Sequence, residues 1–120
     1  MTLIDANVIL RFLIGDNIEM LEMLKRAIES GNTYTLPSIL AEVVYVLNGH
    51  YEVERSKIRD ILVHLFDKVS IENAPVIISA LNYYADRNVD FVDGIVISYA
   101  RLNGEEVLSF DKKLNKLIEE

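Results

Sequence analysis

The chain contains no cysteine, so disulfides and thiolate metal sites are excluded and a reducing, cytoplasmic setting fits best. Its two histidines, His50 and His64, sit in no metal-ligand spacing and read as surface or packing residues. Long apolar runs are missing: none approaches the ~18 residues that would suggest a membrane span. The opening Met1-Thr2-Leu3-Ile4-Asp5 has no basic start, and an acid breaks its first apolar run, which argues against a signal peptide. Positive charge is also in deficit, with 12 Lys and Arg against 19 Asp and Glu and a formal charge of −7. Taken alone, that balance speaks against nucleic-acid binding, which ordinarily leaves a basic footprint. Proline (2) and glycine (5) are too scarce to mark a linker, and no internal repeat or low-complexity tract divides the chain.

What is present is the composition of a folded domain: 51% hydrophobic and 26% charged residues over 120 positions. That length supports one core, so residues 1–120 are expected to form a single domain. The mean hydropathy is positive for so short a chain, and a partner subunit covering some apolar surface is the natural expectation. Short β-type runs alternate with longer helical ones, which predicts an α/β fold with a mainly parallel sheet. Strands are expected at Thr2 to Ile4, Thr33 to Leu36, Val69 to Ile71 and Val107 to Ser109. Helices are expected over Val8 to Leu13, Ile18 to Ser30, Pro37 to Asn48, Glu54 to Asp67, Pro75 to Asp86, Phe91 to Leu102 and Lys112 to Glu119.

In parallel α/β sheets, sites form beyond the carboxyl ends of strands. Asp5 follows the first expected strand directly, and Asp111 follows the fourth after Phe110. Taken singly, each is equally well explained as a turn former or helix N-cap. Glu42 lies on a helix, at the border of an apolar arc formed by Ile39, Leu40, Val43, Val44, Val46 and Leu47; an ordinary edge glutamate would look the same. Asp93 projects between Ala100 and Ile97, inside the apolar face of its helix. A carboxylate there needs an offset, either a helix N-terminus (Asp90-Phe91-Val92-Asp93 has capping-box spacing) or a cation. Two strand ends and two helix starts can converge on one edge of a parallel sheet, and crowded carboxylates need cations. Oxygen-only ligation selects Mg²⁺ or Mn²⁺, ions suited to phosphoryl displacement. Part of the negative charge then belongs to the site itself. Lys112, Lys113 and Lys116, after Asp111, and Arg11, one turn past Asn7, are candidates for phosphate contacts, although a solvated basic helix face explains the lysines as well.

Four segments together resemble a PIN domain: Leu3-Ile4-Asp5-Ala6-Asn7-Val8-Ile9-Leu10-Arg11, Ser38-Ile39-Leu40-Ala41-Glu42-Val43-Val44, Asp90-Phe91-Val92-Asp93-Gly94 and Ser109-Phe110-Asp111-Lys112-Lys113. Their order and spacing hold over the whole chain. Within that family the chain is most similar to the VapC toxins of bacterial and archaeal toxin–antitoxin pairs, through its size and its N-terminal run. The resemblance implies a three-layer α/β/α fold around a sheet of roughly four or five short strands, and a Mg²⁺- or Mn²⁺-dependent endoribonuclease. It also implies a homodimer and a neutralising antitoxin protein. Asp5, Glu42, Asp93 and Asp111 match the family's acidic metal site. Asn7, Asp90 and Ser109 match supporting positions, and Gly94 stands where alanine is commoner. Two other classes remain open: a non-catalytic PIN-like module that binds RNA or protein, and a phosphoacceptor or phosphatase with Asp5 as nucleophile. Asn7, in place of a second acid, speaks against the phosphatase.

Overall fold

The computed structural model describes residues Met1–Glu120, which fall into two compact units, Met1–Ala74 and Pro75–Glu120. The first unit holds the whole sheet. Its elements run β1 (Thr2–Leu3), α1 (Ala6–Ile14), α2 (Ile18–Glu29), β2 (Thr33–Thr35), α3 (Pro37–Gly49), α4 (Arg55–Leu65) and β3 (Ser70–Ile71). The strands pair in the order β1-β2-β3, all parallel, with Thr2 opposite Thr33 and Tyr34 opposite Ser70. Parallel neighbours cannot be joined by a tight turn, and here a pair of helices makes each crossover. The expected α/β class with a parallel sheet is therefore what the chain forms.

Local chemistry sets the boundaries. Asp5 and Asn17 cap α1 and α2 through side-chain oxygens that accept from Val8 N and Met20 N. Gly15 ends α1 at φ 74°, a left-handed conformation that an L side chain adopts only with strain. Pro37 opens α3 at its first turn, where its missing N–H costs nothing. The apolar faces of these elements are fully buried at Ile9, Leu40, Val43, Val44, Ile58 and Leu62.

The second unit is helical: α5 (Ala74–Asp86, starting at the boundary), α6 (Phe91–Asn103) and α7 (Lys112–Glu119). Val89, Ile97, Leu114 and Leu117 form its buried cluster, with Tyr83, Val96, Val107 and Ile118 packed around it. Ser98 Oγ donates to Ser79 Oγ at 2.8 Å between α6 and α5. Gly94 faces α5 so closely that a Cβ there would lie 2.8 Å from Ala80 O and 3.2 Å from Ala80 Cα.

One expectation requires correction. The sheet has three strands, because Val107 to Ser109 joins no ladder. An apolar alternation makes a strand only where another edge takes up its N–H and C=O groups. Here the alternation survives with Leu108 and Phe110 pointing to solvent, 92% and 96% exposed. Tyr84 is buried, whereas Ile18 and Met23 of α2 are largely exposed. No helix is long and apolar enough to cross a membrane.

Candidate metal centre

In the first unit, Asp5 sits where β1 gives way to α1. Ile4 holds that point twice: its N–H donates to Tyr34 O at 2.8 Å, and its carbonyl accepts from the buried Thr35 hydroxyl at 2.9 Å. Thr35 is thus a positioning residue that pattern reading missed, since threonine in a strand is unremarkable in a sequence. Asp5 is exposed, and its Oδ1 accepts from Val8 N at 3.0 Å, so one oxygen caps the helix. Asn7 and Glu42 are also exposed, on α1 and on α3, which packs against α1. Arg11 pairs with Asp16 at 2.6 Å, which ties its guanidinium to the α1–α2 turn. Beside Asp5, a cleft of about 420 Å³ runs between β1 and α2, lined by Leu3, Val8, Met20, Met23 and Leu24 among others.

In the second unit, the starts of α6 and α7 bring three carboxylates together. Asp90, Asp93 and Asp111 line a small pocket of about 40 Å³ with Lys113, over a floor of Val89, Ile97, Leu114 and Leu117. Asp111 is the N-cap of α7: its Oδ1 accepts from Leu114 N at 3.0 Å, leaving Oδ2 for a ligand. Ser109 braces the same turn. Its hydroxyl accepts from Asp111 N at 3.1 Å, and its carbonyl accepts from Asn115 Nδ2 at 2.8 Å. The far end of α7 is fixed by Arg101, whose Nη1 donates to Ile118 O and Glu120 O. Asp90 occupies the N-cap position of α6 but makes no capping hydrogen bond with its side chain, so the anticipated capping box does not form. Its carboxylate contributes to the pocket instead.

Asp93 is partly buried in the first turn of α6, as its helical phase predicted. Burial raises its pKa, the negative charges of Asp90 and Asp111 raise it further, and Lys113 works in the opposite direction. For a carboxyl whose folded-state pKa is raised, the folded state binds protons more tightly than the unfolded chain. That contribution to stability is complete below the ordinary carboxylate pKa of about 3.9 and is lost as pH rises through the higher folded value. Asp93→Asn is therefore expected to melt higher than wild type at neutral pH in EDTA, with the difference shrinking towards about pH 4. Parallel melting curves for the two proteins across that range would show that Asp93 carries no such burden.

No three His, Cys, Asp or Glu side chains stand close enough together to hold an ion as they are placed. The donor chemistry of the pocket nevertheless suits a hard divalent cation: three carboxylates, no nitrogen or sulfur ligand, and mutual repulsion that a cation would relieve. Holding an ion there requires these side chains to close on it.

A PIN domain family model matches residues 2–119, so the match runs through both compact units, and the chain belongs to the PIN domain family. PIN domains are generally nucleases and usually use divalent metals, which makes a hydrolase acting on nucleic acid the class this fold defines. Among curated proteins and solved structures, none matches the chain.

Of the three lysines that sequence reading offered for phosphate contact, Lys112, Lys113 and Lys116, only Lys113 lines the pocket. Helical phase carries the signal. With Leu114 and Leu117 facing inward, Lys113 lies about 40° from Leu117 around the helix, whereas Lys112 lies roughly 160° from Leu114, on the far side.

Proposed function

We propose that this chain is a metal-dependent endoribonuclease that hydrolyses RNA phosphodiester bonds, and that residues 1–120 work as one domain. The observation that carries the reading is the acidic pocket at the starts of α6 and α7. There Asp93 is held partly buried near two like charges, and a cation would relieve that repulsion. Asp5, Glu42, Asp93 and Asp111 are the proposed ligands, with Asn7, Asp90 and Ser109 in support. Mg²⁺ or Mn²⁺ held by them would supply positive charge to acidify a water and to offset negative charge on the phosphate and leaving oxygens. The protein's own contribution is placement. The caps of α1 and α7 fix one oxygen each of Asp5 and Asp111, and Ser109 and Thr35 hold the turns that carry them. No cysteine, histidine or serine nucleophile is required.

The finer identity proposed is the toxin of a VapBC-type pair, a cytoplasmic homodimer neutralised by its antitoxin protein. The cleft beside Asp5, with Leu3 and Met23 exposed along it, supports apolar contact with a partner. A basic antitoxin segment would suit the −7 charge.

Total cellular RNA incubated with the purified chain is expected to be cut at discrete positions in Mg²⁺ or Mn²⁺ and left intact in EDTA. A second reading, a non-catalytic PIN module that binds RNA or protein, is favoured by the lack of a closed ligand cluster in the structure. It would prevail if folded, antitoxin-free protein cut no RNA with either ion and calorimetry detected no Mn²⁺ binding that Asp93→Asn abolishes.

A further inference from the structure

The acidic pocket has one basic lining residue, Lys113. In an acidic surround a lysine ordinarily pairs with its nearest carboxylate. Lys113 makes no ion pair, although its charge is felt at Asp93. Its helix is held at both ends, by the Asp111 cap and by the Arg101 clamp, and is anchored between them by Leu114 and Leu117. The side chain thus starts from a fixed point, with a flexible stem and an uncommitted ammonium group. Arg11, the basic candidate beside Asp5 and Asn7, is occupied by Asp16. In a chain of charge −7, a nucleic-acid backbone has few such cations to meet.

We propose that Lys113 grips a non-bridging phosphate oxygen of the RNA strand and holds the backbone at the rim of the pocket lined by Asp90, Asp93 and Asp111. The assignment rests on the nuclease reading and extends it by naming the residue that binds the substrate backbone. The contact is with phosphate and not with a base, so Lys113 contributes affinity without sequence preference.

The test is fluorescence anisotropy of a labelled single-stranded RNA of mixed sequence. Ca²⁺ replaces Mg²⁺ to suppress cutting, and the salt concentration is varied. Lys113→Ala is expected to weaken binding roughly tenfold. The slope of log affinity against log salt should become shallower by about 0.7, the loss of one contact to a single strand. Lys113→Arg should restore both quantities, and Lys112→Ala should lose less than Lys113→Ala. Mn²⁺ affinity, measured by calorimetry, should not fall in Lys113→Ala. Unchanged RNA affinity and slope in Lys113→Ala, with tighter Mn²⁺ binding, would overturn the assignment and make Lys113 an internal counter-ion of the acids. Failure of the wild-type protein to bind the RNA at all would instead overturn the nuclease reading on which the assignment stands.

Discussion

Asp5→Asn is expected to lower RNA cleavage on the order of 100-fold or more, equivalent to about 3 kcal/mol of transition-state stabilisation, while leaving the fold intact. The two halves of that expectation come from different atoms. Oδ1 caps α1 by accepting from Val8 N, and an asparagine carbonyl oxygen accepts from the same donor. Asparagine and aspartate are near-equal as N-caps, so the melting temperature should be essentially unchanged. What asparagine cannot supply is the charge that a divalent cation needs from its ligand. Asp5→Ala removes both, adding a loss of about 1 kcal/mol of stability to the loss of activity. Cleavage by Asp5→Asn at the wild-type rate in Mg²⁺ and Mn²⁺ would remove Asp5 from the site. Asp111 is built in the same way on α7, and the same pair of substitutions should separate its two roles.

Gly94→Ala is expected to cost about 1–3 kcal/mol of stability, despite the better helix propensity of alanine. The added methyl carbon would stand 2.8 Å from Ala80 O and 3.2 Å from Ala80 Cα, both backbone atoms of a neighbouring buried helix. Neither can rotate away, so α5 and α6 must separate, loosening the packing around Ile97 and Ala80, which are fully buried. Because the obstacle is backbone, trimming Ala80 to glycine in the same protein should not rescue it. Asp93 is the residue before Gly94 and moves with the helix, so the variant should also bind Mn²⁺ less tightly. Urea unfolding and calorimetry read the two effects. A Gly94→Ala protein as stable as wild type would mean that the helices yield without cost.

The sequence carried the type and order of the helices well because their signals are local. Asn17 and Gly15 mark boundaries through their own backbone and side-chain preferences, and the apolar spacing of α4 is visible in Ile58, Leu62 and Leu65. The partial burial of Asp93 was legible in the same way, from phase alone. What failed depended on partners distant in sequence. Val107 to Ser109 has strand composition but no ladder, and the capping-box spacing from Asp90 gives no hint that its carboxylate lines a pocket. Gly94 likewise looks like a weak point in a helix until Ala80 appears against it. Lys113 lies between these cases: the phase of an eight-residue helix distinguishes it from Lys112, but the pocket that gives the distinction meaning does not exist in one dimension.

The segment that failed to become a strand also shapes how the molecule behaves in a tube. Leu108 and Phe110, two residues apart, both project into water and form a short adhesive strip. Glu105 and Glu106 stand before the strip, and Asp111 follows it. Acids in these positions act as gatekeepers, since two copies approaching strip to strip also bring their charges together. That protection is electrostatic and lasts only while the chain is strongly negative. Near its isoelectric point of about 4.8 the net charge vanishes while the strip remains, so clumping is expected to be greatest there.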